Sequence, residues 1–526
     1  MRGPCIVSKL GDEGKGSPLS DMAFGSDPMS ENGETGPWAP RIMRSMTLDS
    51  GICYRALRAR DARFDGRFFV AVSSTRIYCR PICTVKPPKR ENCRFFPSAA
   101  AAESSGYRPC LRCRPELAPG NASVDATTRL AQAAATLLED STLENGGLDA
   151  IAARLGITDR HLRRAFGAEF GVSPVEFAQT QRLLLAKRLL TDTALPVTEV
   201  AFASGFRSVR RFNALFRERY RLRPRQLRWQ QRGPSFPTAD ALNFELSFRP
   251  PFDWPVVSAF LGTRAIAGVE ALDGGCYRRT VRIASDGKER AGWIAVELSP
   301  KKPTLRVAVA ASLVKALPPV LSRVKALMDL ACNPAEVAQA LGPLAKQHPG
   351  LRVPGAFDGF EMAVRAILGQ QVTVAGASTL AGRFAAAFGD PIETPFPQLT
   401  TLFPTAARVA TLTPGRIARL GMPGARARTI VALARAAADG RLVLAPSADI
   451  EATLAALRDL PGVGVWTAQY IAMRALSWPD AFPHTDLGVM KALGETGARR
   501  VLAAGEAWRP WRAYAVMHLW QSLTKE

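Results

Sequence analysis

The sequence predicts a multidomain α+β protein, and three observations carry that reading. At 526 residues the chain is long enough for three or four domains. Its composition, 47% hydrophobic and 22% charged, is that of a chain that folds over most of its length. The residue pattern also changes character along the chain: it alternates in strand fashion over 242–310 and is helical on both sides. The expected order is a small cysteine-bearing α/β domain, an all-helical segment, an antiparallel β/α segment and a long helical end.

Residues 1–46 are rich in Gly, Ser, Pro and Asp, show no apolar period, and read as a disordered extension. Compact sequence follows over 47–118. "APGNASVD" (118–125) is a linker that ends at a helix start, and 125–232 is helical throughout. "QQRGPSFPTAD" (230–240) is a second linker. The strand-rich part is placed at 241–330, with "LNFELSF" and "LRVAVAA" as its clearest strands, and helices broken by Pro-Gly pairs fill 331–526.

The formal net charge of +23 calls for a polyanionic partner. A membrane surface is the weaker choice, since no apolar run reaches the roughly 18 residues of a spanning helix. The N-terminus also lacks the layout of a secretion signal. A cytoplasmic, nucleoid-associated protein is expected.

Nine cysteines, an odd count, argue against a disulfide framework in such a chain. Four of them form two close pairs, Cys79-x3-Cys83 and Cys110-x2-Cys113, separated by 26 residues. Two short thiol pairs on separate loops are what a tetrahedral Zn²⁺ site needs, each pair spanning one edge. Cys53 and Cys93 sit among apolar residues and read as core. The local sequences "RFDGRFFVAVSSTRIYCRPIC" and "GYRPCLRCRPE" closely resemble the N-terminal domain of Ada-type methylphosphotriester repair proteins. That resemblance implies one zinc ion held by the four cysteines, and makes Cys79 the thiolate that takes a methyl group from DNA irreversibly. Zinc keeps the sulfur deprotonated at neutral pH, where a free thiol of pKa about 8.5 is mostly protonated.

Residues 160–232 carry 16 Lys and Arg against five Asp and Glu. "LDAIAARLGITDRHLRRAFGAEFG" (148–171) has a small residue at Ala152, Gly156 at a turn, and a basic helix with Arg160, His161, Arg163 and Arg164. "LPVTEVAFASGFRSVRRFNALFRERY" (195–220) repeats this with Gly205 in the turn and Arg207, Arg210 and Arg211 behind it. Two such units joined by "EFAQTQRLLLAKRLL" and closed by "RLRPRQLR" resemble the AraC-type DNA-binding domain. The resemblance implies a helix of each unit in a major groove, its cations divided between phosphates and base edges. A solvated helix face is the plain alternative for such a charge run.

In the last part, "LRDLPGVGVWTAQYIAMRALSWPDAFPHTDLGVMKAL" (457–493) sets Gly462 and Gly464 in a tight turn whose N–H groups suit a DNA phosphate. The stretch resembles the helix-hairpin-helix glycosylases. With "LSFRPPFDWPVVSAFLGTRA", "FEMAVRAILGQQVTVAGA", "LGMPGARA" and "WRPWRAYAVMHLW", the resemblance to AlkA-type 3-methyladenine DNA glycosylases runs from about 242 to 526. It implies a catalytic carboxylate at Asp486, for which a helix N-cap is the structural alternative. It also implies a base pocket of Phe260, Trp466, Tyr470 and Trp520, for which core packing is the rival. A backbone-cutting member carries Lys where Trp466 stands, so a monofunctional enzyme is expected. Gln371 occupies the position of the wedge that fills the gap of a flipped base, and Leu487 stands where a relative has an aromatic. No "PCHRV" stretch is present, so O6-methylguanine repair is not expected.

The full expectation is thus a small zinc-bound α/β domain, an all-helical double helix-turn-helix domain, an antiparallel β/α domain and a helical helix-hairpin-helix glycosylase domain. Its implied partners are damaged and promoter double-stranded DNA and RNA polymerase, with the protein a monomer. A second reading stands beside it: a regulator with a structural zinc and a glycosylase-like part that only grips DNA.

Overall fold

The computed structural model describes residues 49–120, 126–140, 147–227, 241–285 and 287–525. The N-terminal extension and the linker at 230–240 lie outside the described residues, as do 121–125 of the first linker.

The first domain is a four-stranded sheet of order β3-β1-β2-β4, with β1 (Phe69–Val72), β2 (Ile77–Cys79), β3 (Cys93–Phe96) and β4 (Arg108–Pro109). Side chains alternate across a strand, so consecutive residues serve opposite faces. Phe68 and Val70 pack on Cys53, Ala56 and Leu57 of helix α1 (Ser50–Ala59). Phe69, Ala71 and Tyr78 pack on Ala99 and Ala102 of α2 (Ala99–Ser104). Cys53 is fully buried as expected, whereas Cys93 is half-buried on the edge strand β3, its thiol turned towards the Lys89 carbonyl.

The helical part begins with α3 (Ala126–Asp140). The two repeats follow as α4 (Gly147–Arg154) with α5 (Asp159–Phe170), and α7 (Val197–Ala203) with α8 (Val209–Tyr220). Between them runs α6 (Pro174–Asp192), opened by a capping box of Ser173 and Glu176. The turn glycines have φ of +66° at Gly156 and +79° at Gly205, conformations that a side chain would strain.

Five strands then form an antiparallel sheet of order β5-β9-β8-β7-β6: β5 (Ala241–Ser247), β6 (Glu270–Asp273), β7 (Cys276–Ser285), β8 (Lys288–Leu298) and β9 (Thr304–Ala310). Helix α9 (Trp254–Gly262) crosses between β5 and β6. The remainder is helical apart from a short antiparallel pair, Asp390–Pro391 with Thr401–Leu402. A buried ionic lattice ties it to the sheet: Arg279 donates to Glu361 at 2.6 Å and Arg365 to Glu270 at 2.8 Å.

The linker pattern implies separate domains, yet the two middle ones share a core. Leu189 and Leu190 of α6 and Phe212 and Phe216 of α8 lie in one buried cluster with Phe244, Val307 and Val309 of the sheet. The first repeat packs instead on Ala100 and Ala101 of α2. Arg188 of α6, buried, stacks over the Phe244 ring at 4.9 Å and donates to the Glu245 carbonyl.

Candidate functional site

Strand pairing explains the thiol cluster. β2 and β4 run parallel with Tyr78 opposite Pro109, so Cys79 and Cys110 are the next residues on each strand and leave the sheet side by side. The Cys110 N–H donates to the Tyr78 carbonyl at 2.9 Å, and a tight turn from Arg80 brings Cys83 back. All four sulfurs lie within 4.8 Å of one another. Zinc–sulfur bonds of about 2.3 Å require sulfurs about 3.8 Å apart, so four soft thiolate donors at this spacing fit one zinc ion. The cluster binds it through Cys79, Cys83, Cys110 and Cys113.

Its frame includes a pair that the sequence did not disclose. Arg80, next to Cys79, is buried; its Nε donates to Asp65 at 2.8 Å and its Nη1 to the Cys113 carbonyl at 3.2 Å. This cation therefore braces the two ligand loops. Tyr78 faces the opposite way and donates to Glu103 at 2.9 Å, beside Thr180 of α6. Burial pushes the Glu103 carboxyl up to about 8, against the lowering effect of the Tyr78 hydroxyl.

On α5, Arg160, His161, Arg163 and Arg164 are exposed while Leu162, Ala165 and Phe166 are buried, so the cations share the outer face. Arg163 is paired with Asp159 at 2.7 Å. On the second repeat Arg207, Arg210 and Arg211 are likewise exposed.

The aromatic residues converge from three helices. Trp466 and Tyr470 lie one turn apart on the helix Val465–Arg474 and stack at 5.3 Å with 10° between planes. Trp520 comes from the helix Arg512–Ser522, and Phe260 of α9 faces it with centroids 6.4 Å apart and planes 14° apart. Asp486 stands where they meet. Its Oδ2 accepts from Trp466 Nε1 at 2.7 Å, and its Oδ1 accepts from Trp520 Nε1 at 2.9 Å and from the Val489 N–H at 2.9 Å. The last bond caps the helix Leu487–Ala492, so Asp486 is an N-cap and an indole-held carboxylate at once. Leu487 beside it is 83% exposed.

Two arginines that the motifs gave no reason to single out stand behind this cluster. Arg264 lies 3.8 Å over the Phe260 ring and Arg474 4.9 Å over it, and Arg474 donates to the Tyr470 hydroxyl at 3.0 Å. Burial raises the Tyr470 phenol, but the charges of Arg474, Arg264 and Arg365 outweigh it and lower its pKa overall. Tyr470 and Arg474 are four residues apart and so share one side of their helix, whereas Arg264 lies just past the end of α9 and carried no such signal.

The hairpin lies alongside. Gly462 has φ of +83°, and a Cβ there would come 2.5 Å from Thr429 Oγ1. Gly464 opens the helix Val465–Arg474 without a side-chain cap, which leaves the first-turn N–H groups available to an anion. Gln370 Nε2 donates to the Gly462 carbonyl and to Thr467 Oγ1, both at 2.9 Å. That brace presents Gln371, exposed and held at φ of 55°.

Comparison with known proteins follows the same divisions. Residues 52–116 match the metal binding domain of Ada, 151–230 a helix-turn-helix domain, 243–358 the AlkA N-terminal domain, and 364–501 the HhH-GPD superfamily of base excision DNA repair proteins. A probable bifunctional transcriptional activator/DNA repair enzyme AlkA of Mycobacterium tuberculosis is 40% identical over 485 residues, 90% of this chain and 96% of its own. The chain belongs to this family of bifunctional transcriptional activator/DNA repair enzymes. DNA-3-methyladenine glycosylase 2 of Escherichia coli is 36% identical over 277 residues, 53% of this chain and 96% of its own. The regulatory protein ada of Salmonella typhimurium is 36% identical over 167 residues, 31% of this chain and 45% of its own. Among the described residues no helix is long and apolar enough to cross a membrane.

Proposed function

We propose that this chain removes alkyl damage from DNA in two ways and reports it in a third. The observation that carries the repair half is Asp486, clasped by two indole N–H groups at the meeting point of four aromatic rings. A carboxylate fixed in orientation by three donors is preorganised to stabilise a cationic sugar at C1′. The rings of Phe260 and Trp520 are nearly parallel, with centroids 6.4 Å apart, and offer flat faces against which a flipped planar base can stack. A base such as 3-methyladenine or 7-methylguanine, cationic before the bond breaks, is attracted to ring faces by about 0.5–2 kcal/mol. It then departs with the electrons of the glycosidic bond, without prior protonation. Asp486 offsets the charge left on the sugar, water adds at C1′, and the proton of that water passes to solvent. No amine occupies the position of Trp466, so base release stands alone, without strand cutting. Gln371 fills the vacated gap and hydrogen-bonds the orphaned base, while the Gly462–Gly464 hairpin holds a phosphate.

At the other end, the Cys79 sulfur attacks the methyl carbon of a methylphosphotriester. An S–CH₃ bond forms, the CH₃–O bond breaks, and the phosphodiester anion leaves. Bound zinc supplies a sulfur that is already deprotonated. The helix-turn-helix units then hold promoter DNA through Arg160, His161, Arg163, Arg164, Arg207, Arg210 and Arg211. The monomeric protein recruits RNA polymerase from there, in the cytoplasm. A purely DNA-gripping glycosylase fold would use Asp486 only as the N-cap of Leu487–Ala492, a role that needs neither of the two indole donors.

The test is base release from alkylated duplex DNA, scored over a panel of methylated bases with the native protein and with Asp486→Asn. Release of 3-methyladenine by the native chain and its collapse in the variant support the reading. Equal release by both removes Asp486 from it.

A further inference from the structure

The seam between the second helix-turn-helix unit and the strand-rich domain contains an unexplained group of donors. Arg182 on α6 turns its guanidinium onto the turn at Gly205, where a Cβ would lie 3.3 Å from Arg182 Nε. Its Nη2 is buried and has no hydrogen-bond partner, and the residue makes no ion pair among the described residues. Ser204, in the same turn, is 1% exposed and its hydroxyl is also without a partner. A buried guanidinium nitrogen or hydroxyl left unmatched loses its hydration with nothing to offset the loss. Two such atoms around one space point to something that fills it.

The space is a cavity of about 120 Å³, more than a single water needs. Across from Arg182 and Ser204 it is lined by Lys315 and Lys325 of the strand-rich half, neither of which has an ion-pair partner among the described residues. One carboxylate, Glu116, also reaches the wall, but its oxygens already accept from Lys187 at 2.6 Å and from Arg114 at 3.0 Å. Arg188 lines the cavity too; its Nη2 donates to the Glu245 carbonyl and it pairs with Asp192 at 3.8 Å, while its Nε is buried without a hydrogen-bond partner among the described residues. The uncommitted charged groups are therefore all cations, and the neutral polar groups of the wall are Ser204, Gln181, Ser285 and Ser322. Burial lowers the Arg182 pKa and the charge of Arg211 on the recognition helix lowers it further, so no local anion relieves it.

We propose that this seam is a phosphate-group site, in which Arg182 and Ser204 from the regulator and Lys315 and Lys325 from the strand-rich domain hold one tetrahedral oxyanion between the two halves. A forked guanidinium with a neighbouring hydroxyl suits such an anion, and the ammonium groups balance its charge. The phosphate group has two sources, free inorganic phosphate or the backbone of duplex DNA lying along the recognition helix. Either links the state of the seam to the DNA-binding face through Arg211.

The experiment uses the full-length zinc-loaded protein. Its thermal transition is followed in potassium phosphate and in potassium chloride at equal ionic strength, and its duplex affinity is followed over a range of salt. A free-phosphate site gives a saturable rise of the transition in phosphate alone, lost in Arg182→Gln and weakened in Lys315→Gln. A backbone-phosphate site gives no such rise, but in both variants the slope of log K against log salt falls by about one unit. The idea is overturned if both variants match the native protein in both measurements. It is equally overturned if Arg182→Met raises the transition while leaving both responses intact, because the cavity then holds only a tolerated charge. Lys315 is exposed, so its variant keeps the test decisive should Arg182→Gln fail to fold.

Discussion

The thiolate tetrad and the aromatic pocket are built in opposite ways. The tetrad is local: four ligands within residues 79–113, brought together by one parallel strand pair and two turns. The pocket is assembled from Phe260, Trp466, Tyr470, Asp486 and Trp520, on four elements spread over half of the chain. The chemistry differs in the same sense. In the proposed function a methylated sulfur is not regenerated, so that site acts once per protein, whereas a carboxylate that only stabilises charge is unchanged and turns over. A site used once can serve as a record, and Tyr78, Glu103 and Thr180 tie its sheet to α6, the helix that joins the two repeats, which gives the record a route outward.

The sharpest way to break the comparison is at the two reacting groups. Cys79→Ser is expected to accept no methyl at all from methylphosphotriester DNA, read by mass spectrometry of the peptide that contains it. Asp486→Asn should slow 3-methyladenine release on the order of 10²–10³-fold in single-turnover assays, the usual cost of removing one preorganised electrostatic group. Next comes the shared core. Phe212→Ala is expected to destabilise the protein by about 3–5 kcal/mol, and a single unfolding transition should carry both halves down together. Two separated transitions would show that the middle domains are held less tightly than their common cluster implies. Trp466→Phe keeps the ring and removes one indole donor to Asp486. About a tenfold loss of release is expected, the scale of one hydrogen bond to a charged group, about 1.5 kcal/mol.

The smallest effect concerns pH. Glu103, with its carboxyl raised from 4.5 to about 8 by burial, keeps its proton in the fold where the unfolded chain has lost it. Its contribution is complete below about pH 4.5, diminishes as pH rises, and is gone above about pH 8. Glu103→Gln cannot ionise, so its stability relative to the native protein should climb between those limits in denaturant titrations. A flat difference across that range would mean that the carboxyl is charged in place.

How much was legible follows from the same contrast. Spacing alone disclosed the tetrad, because each thiol pair lies on one loop, and the hairpin and Asp486 were visible as a continuous motif at 457–493. Phe260 was reached through resemblance, since nothing in its own neighbourhood ties it to Trp520. The Asp65–Arg80 brace and the guanidinium groups of Arg264 and Arg474 were not legible, because a basic residue in a basic chain carries no sign of what it will face. Nor was the common core of the second repeat and the sheet: a Gly- and Pro-rich linker reads as separation, and only the buried cluster that Phe212 and Phe216 share with Val307 and Val309 revealed otherwise.

The claim that the spent site reports its own use is tested most directly by duplex affinity before and after methylation of Cys79. Four thiolates on zinc carry a formal charge of about −2, and one methyl removes one negative charge facing DNA. The account predicts tighter promoter binding by the methylated protein, with a measurably different salt dependence. Equal affinity of both forms at every salt concentration would contradict it.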